Sequence, residues 1–538
     1  MMILTALGGY GYAITHSGIG MDDTAVSLYF HDGLAPYVGR WTLYLLGKVF
    51  HITDYFPYFI DLVGTILLIL SATLWNALWK SLLDTNMKLP IVCYGFVGAT
   101  FISCPLISEV FIYYLHNGVC MGYGLVALAL YLFTQILSQH SSKAQQIKQM
   151  VLSALLLCVA VGCYESFMLV FIMGAILLFF MFHSIAATTE TKTFCRLFPW
   201  LLWGIAVSVS TLLFRMVALF LTNLLYDKTI FEGYDVLYRT LFGDNLKSLA
   251  ELGMTLKRFL SLYYIHGFLY LPIKVLVLSI GFLFVFSILC GIKKKDIYVI
   301  LASIALILCP IIMTIIEGNA TKYRAAQYVP MLTAFSVLLF LTLVFQYFHT
   351  KKWGLAMAYV MLGILIFNQC SDMNKWFYLD YQKYLDARET MYQISYDLKS
   401  NCDTTKPIAF IGAYKVPSYI RQYCVVSYSS KEFQWICRLT DPIDVHWKEK
   451  FYKPDGYCFT ETPEISILQW GLDAFNHTAE QVKRFGEMHG LTGFDLVTDP
   501  VILESARSIA AQRNMPGYPY DGYIYECEDY IIVNIECN

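Results

Sequence analysis

Charge is scarce in this chain. Asp, Glu, Lys and Arg make up 14% of its 538 residues, where soluble domains carry about 25%. With 57% hydrophobic residues and a mean hydropathy of +0.54, a soluble globular protein is excluded, and a polytopic membrane protein is the class that remains. The formal net charge of -2 provides no basic field, which excludes nucleic acid as a partner. No basic stretch or small-residue cleavage site follows Met1, so no cleavable signal peptide is expected. Internal repeats and low-complexity tracts are also missing. A transporter would place ionisable groups at mid-membrane on broken helices of two related halves.

What the chain has instead is long apolar runs. They fall near 1–15, 57–79, 89–107, 118–138, 150–163, 167–183, 198–225, 269–290, 297–316, 328–348 and 354–371, about eleven in all. A span needs about 20 apolar residues, so the first run is short for a full crossing; it is either partly interfacial or preceded by more chain. Lys80, Lys88, Lys143, Lys148, Lys192, Arg196, Lys293 to Lys295, Lys351 and Lys352 all fall between spans on one side. Basic loops are cytoplasmic, so the expected N-terminus is inside, and Asp22, Asp23 and everything after Asp372 face outward. The expected fold is therefore mainly α, a polytopic helical domain over 1–371, followed by an extracytoplasmic mixed α/β domain over 372–538.

Polar residues gather on the outer side. The stretch Gly18-Ile19-Gly20-Met21-Asp22-Asp23 places two adjacent carboxylates just beyond the first run. Ionisable groups at membrane depth cost several kcal/mol and mark functional sites; at the water boundary the two acids would be ordinary loop residues. After them Val38, Trp41, Leu45 and Val49 recur at helical spacing, with Arg40, Tyr44 and Lys48 on another face. That pattern suits a helix lying along the membrane surface. Leu246, Leu249, Leu256 and Leu260, beside Lys257 and Arg258, repeat it. Glu109, the turn Tyr164-Glu165-Ser166, and Lys322, Tyr323 and Arg324 complete the outer polar set. Singly, each reads as a helix-end residue or a headgroup contact; together they could line a cavity at the bilayer surface.

In the tail, Tyr384, Ala387, Met391, Ile394 and Leu398 step as a helix, and Pro407 to Ile411 reads as a buried strand. Glu480 to His489 and Ile502 to Gln512 read as helices, and Tyr523 to Tyr525 with Tyr530 to Val533 as a hairpin. Six cysteines lie here, Cys402, Cys424, Cys437, Cys458, Cys527 and Cys537. An even number in an oxidising compartment suits disulfides, and their spacing fits no metal site. Trp435, Trp447, Trp470 and Tyr518-Pro519-Tyr520 are candidate sugar-stacking rings, or core residues.

Gly20-Met21-Asp22-Asp23, Gly39-Arg40-Trp41, Glu109, Tyr164-Glu165-Ser166 and Trp376, Tyr378 and Asp380 together resemble the bacterial type II O-antigen glucosyltransferase family. Met515 to Pro519 and Tyr530 to Val533 fit as well, so the resemblance covers most of the chain. Glu165 departs from it, standing where an amide is expected. The resemblance implies a GT-C-like membrane glycosyltransferase of the bacterial inner membrane. Its donor would be a hexose, glucose by family, on a polyprenyl phosphate such as undecaprenyl phosphate. Its acceptor would be a cell-surface polysaccharide such as O-antigen, with a polyprenyl-phosphate sugar synthase and a flippase acting upstream. Inversion at the anomeric carbon is implied too.

The chemistry needs a carboxylate base for the acceptor hydroxyl and cations for the leaving phosphate. Asp22 or Asp23 is the expected base, Asp23 marginally ahead, the other supporting acceptor or metal. Arg40, Lys322 and Arg324 are the expected phosphate ligands, with Lys257 and Arg258 in reserve, and Glu109 and Tyr164 the expected sugar contacts. Asp22, Asp23 and Glu109 would suit Mg²⁺ or Mn²⁺, though no spacing demands a metal. The competing readings are a lipid-linked glycan transporter or flippase, a polysaccharide polymerase or ligase, and a glycan-binding structural or sensory membrane protein.

Overall fold

The computed structural model describes residues 1–20, 23, 34–37, 39–49, 57–83, 88–113, 116–137, 142–184, 197–225, 253, 274–294, 296–317, 325–348, 352–412, 414, 420, 425–427, 464–466, 475 and 479–536. Each of the eleven apolar runs is a helix. In order these are α1 (Met2–Thr15), α4 (Pro57–Leu83), α5 (Ile91–Ile102), α7 (His116–Ile136), α8 (Lys143–Val161), α9 (Phe167–Ser184), α10 (Leu197–Leu225), α11 (Lys274–Lys294), α12 (Ile297–Glu317), α13 (Val329–Phe348) and α14 (Lys352–Asn401). Between them lie α2 (Leu34–Tyr37), α3 (Trp41–Val49) and α6 (Leu106–Phe111). Among the described residues seven helices are long and apolar enough to cross a membrane: α4, α7, α8, α9, α10, α13 and α14.

Two compact units divide the chain, one made of Met1–Thr15 with Ser27–Lys375, the other of His16–Val26 with Trp376–Asn538. The first is a helix bundle in which α4 and α8 pack on α7, α9 on α12, and α5 on α13. Trp75, Trp79, Tyr123, Phe133, Phe167, Phe171 and Phe180 fill its interior. Polar rungs tie neighbouring helices where no water competes. Ser71 donates to the Cys120 carbonyl at 2.6 Å, Trp75 Nε1 to the Tyr123 carbonyl at 3.1 Å, and Ser153 to the Ala129 carbonyl at 2.9 Å.

The second unit is the mixed α/β fold that the tail's patterning leads one to expect. Strands β1 (Ile408–Ile411), β2 (Val425–Ser427), β3 (Glu464–Ser466), β4 (Ile524–Glu526) and β5 (Ile531–Asn534) join helices α15 (Ala479–Met488) and α16 (Pro500–Gln512). β5 is central in a three-stranded sheet, parallel to β1 (Ile408 opposite Ile531) and antiparallel to β4. β2 and β3 form a separate antiparallel pair. Alternate residues point to opposite faces of a strand, so Ile408 and Phe410 join Ala387, Met391, Ile394 and Leu398 of α14 on one side. Ala409 and Ile411 meet Leu503, Ala506 and Ala510 of α16 on the other. Asp499 caps α16, accepting from the Val501 N–H, with Pro500 in the first turn.

The last apolar run and the helix stepping through Tyr384 form one continuous 50-residue α14; no proline falls between Lys352 and Pro407 to end it. One expectation changes. Cys402 and Cys527 are free thiols, not disulfides. The other four tail cysteines, Trp435, Trp447 and Trp470, and the stripe from Leu246 to Leu260 with Lys257 and Arg258 all lie outside the described residues.

Candidate functional site

At one end of the helix bundle a charged cluster forms around the α8–α9 turn. Its geometry starts from two glycines. Gly39 takes φ of 84°, a left-handed conformation that glycine adopts without Cβ strain. It closes α2 through its N–H to the Pro36 carbonyl at 3.0 Å, and Arg40 N–H then bonds the Ala35 carbonyl at 2.8 Å. α3 starts directly afterwards, and its Leu43 N–H bonds the Gly162 carbonyl at 3.3 Å. A Cβ on Gly162 would meet the Trp41 ring at 2.8 Å, so only glycine lets α3 seat here.

That seating brings Arg40 to Glu165. Arg40 Nε lies 3.4 Å from Glu165 Oε1, and Arg215 Nη2 of α10 lies 3.9 Å from the same oxygen. The Arg40 guanidinium also sits over the Tyr164 ring, 5.2 Å from its centroid. Burial pushes the Glu165 carboxyl upward, but the Arg40 and Arg215 guanidiniums outweigh it and hold it below the usual glutamate value. Among the described residues two guanidiniums therefore meet the Glu165 carboxylate.

Two fully buried ionisable side chains, His116 and Glu109, also lie at this end. His116, at the start of α7, has Nε2 3.6 Å from Asp61 Oδ1 of α4, and its ring lies 4.2 Å from that of Phe111 on α6. Glu109 of α6 is 0% exposed, as are Ser108 and Asn117. Leu43 of α3 stands against Gly118, one residue beyond Asn117. At the opposite end His183 Nδ1 lies 2.6 Å from Asp296 Oδ2.

In the second unit Asp23 is buried and its Oδ2 accepts from the Gly20 N–H at 2.5 Å, while its own N–H bonds the Gly20 carbonyl at 3.2 Å. The carboxylate thus closes a tight turn. The same loop lies on α14: the His16 ring is 5.3 Å from that of Tyr381, and a Cβ on Gly18 would meet Tyr384 at 3.4 Å and Asp380 Oδ2 at 3.9 Å. Asp380 and Lys383 are buried beside it.

Arg40, Tyr164 and Glu165 are thus brought together, Glu109 is buried in the same unit, and Asp23 belongs to the other unit. Asp22, Lys322 and Arg324 lie outside the described residues. Among the described residues no three His, Cys, Asp or Glu side chains gather to hold a metal ion. Arg215 and the Asp61–His116 pair were not singled out from the sequence. A signal for Arg215 existed: it is the lone charged residue in the run from Leu197 to Leu225.

Compared with known proteins, residues 11–341 match the family model described as Glucosyl transferase GtrII. No curated protein and no solved structure matches the chain.

Proposed function

The chain belongs to the GtrII glucosyl transferase family, and from that premise we propose that it moves glucose from a polyprenyl phosphate to a cell-surface polysaccharide such as O-antigen. The reaction takes place at the outer face of the bacterial inner membrane, in a GT-C-like fold of about eleven spans, with residues 372–538 outside. The observation that carries this reading is the cationic cluster of Arg40 and Arg215 on Glu165 at one end of an apolar bundle. Such a site suits an anionic headgroup on a lipid.

Asp22 or Asp23 is the base. As the acceptor hydroxyl oxygen bonds to C1 of the glucosyl group, its proton passes to the aspartate. The bond from C1 to the phosphate oxygen breaks, its electron pair stays on that oxygen, and polyprenyl phosphate departs with inversion at C1. A carboxylate held in a backbone turn, as Asp23 is, costs little reorganisation when the hydroxyl arrives. Arg40, with Lys322 and Arg324, takes up charge developing on the phosphate, Arg as a planar fork and Lys as a point charge. Tyr164 and Glu109 contact sugar. A divalent ion, if used, would be held by Asp22, Asp23 and Glu109, and would neutralise phosphate charge.

The test compares surface polysaccharide by mass spectrometry in cells carrying the native protein, no protein, or the Asp22→Asn, Asp23→Asn double variant. A single side-branch hexose should vanish from the second and third samples, while the variant stays in the membrane at native level. Loss of the whole polymer would instead identify a flippase or polymerase. An unchanged branch in the variant would remove the two acids from catalysis.

A further inference from the structure

One lateral groove in the bundle is not used by the site described above. It runs between α9, α10 and α12, with a volume of about 530 Å³, and is walled by Phe171, Phe179, Trp200, Gly204, Ser208 and Leu301 among others. Its α10 wall steps through Leu197, Leu201, Gly204, Ser208 and Leu212, the spacing of one helix face. That stripe rises about 22 Å along the helix at 1.5 Å per residue. Arg215 continues the same face one turn beyond Leu212, and there its guanidinium meets Glu165 and, through it, Arg40. Among the described residues Arg215 Nε has no hydrogen-bond partner. The apolar stripe of the groove thus leads, along one face of α10, to the Arg215 guanidinium.

We propose that this groove seats the isoprenoid chain of the lipid-linked donor, with Arg215 holding its phosphate. The proposal rests on reading that donor as a polyprenyl phosphate. Charge complementarity selects the occupant: a chain with one compact anionic phosphate, its first isoprene units in the groove and the remainder in the bilayer. Gly204 makes the groove testable, because nothing lies within 4 Å of a Cβ built there. A large side chain at that position fills the trough without displacing a neighbour.

The experiment uses the full chain in phosphatidylcholine nanodiscs with a photoreactive, diazirine-bearing polyprenyl phosphate, mapping the adduct by peptide mass spectrometry. Labelling is expected within α10 and α12. Gly204→Phe should reduce it at least tenfold at unchanged thermal midpoint, and Arg215→Gln should weaken it comparably. Gly363→Phe on α14, also open around its Cβ, should leave it intact. Unlabelled polyprenyl phosphate should compete and phosphatidylglycerol should not. Label that persists in Gly204→Phe, or maps elsewhere, overturns the groove while leaving the carrier reading intact. Equal competition by phosphatidylglycerol makes the groove a general lipid cleft and overturns the proposal. No labelling of the native chain at all overturns both.

Discussion

Glu165 is shared by two guanidiniums, and that ratio governs what substitutions should do. Arg40→Lys keeps the charge but loses the planar fork and the contact over Tyr164. Glucosyl transfer should fall by about tenfold, and by about 100-fold in Arg40→Gln, the scale of removing one preorganised charge-stabilising donor; a steady-state assay with the proposed lipid-linked donor checks the order. The carboxyl of Glu165 is held low, so its contribution to stability is complete above the ordinary glutamate value and is lost as pH falls through the lowered one. His489 behaves differently. It lies among Phe485, Tyr384 and Tyr392, its Nδ1 2.8 Å from the Phe485 carbonyl, and burial lowers its value from 6.5. The folded chain then binds fewer protons here than the unfolded one, so stability falls as pH drops through 6.5 toward the lowered value. Thermal melts of the native chain should show this slope between about pH 7 and 5, and His489→Phe should flatten it.

At the scale of elements, the site depends on how α3 is seated. Gly39→Ala forces an L side chain into the left-handed region at a cost of about 1–2 kcal/mol. Gly162→Val drives a branched side chain into Trp41 and Thr42, which should push Arg40 off Glu165. Transfer should drop sharply while the far-ultraviolet circular dichroism stays helical. In α3 the apolar stripe read from the sequence is left uncovered by protein at Leu45 and Val49, while Thr42, Leu43 and Gly47 are buried. An exposed apolar stripe on a short helix beside a bundle suits contact with lipid. In α14 the heptad-like positions Met391, Ile394 and Leu398 are 0% exposed against the sheet. Met391→Ala should cost about 2–5 kcal/mol, read as a lowered unfolding midpoint of the C-terminal unit.

Across the whole molecule, a 50-residue α14 is about 75 Å long, far more than the roughly 30 Å hydrocarbon core of a bilayer. Its polar half therefore continues into the C-terminal unit, which also contains the loop bearing Asp23. If that unit faces outward, its half-buried free thiols Cys402 and Cys527 should react with a membrane-impermeant maleimide on intact spheroplasts. Adducts mapped by peptide mass spectrometry to these two positions should vanish from a variant with both changed to serine. Labelling only after permeabilisation would reverse the assigned orientation, and with it the side on which transfer occurs.

The sequence alone determined the positions of eleven apolar helices, the α/β character of the tail and the identity of Arg40, Tyr164 and Asp23 as candidates, because burial period and span length are local properties of the chain. Family kinship was legible in the same way, from short motifs. The partners were not. That Arg215 would reach Glu165, fifty residues earlier, or that Asp61 would meet His116, depends on which helix faces turn toward each other. Helices apolar on all sides carry little in their own pattern to say so. Close packing at glycines such as Gly162, where a single added carbon would collide, is what decided it in the folded chain.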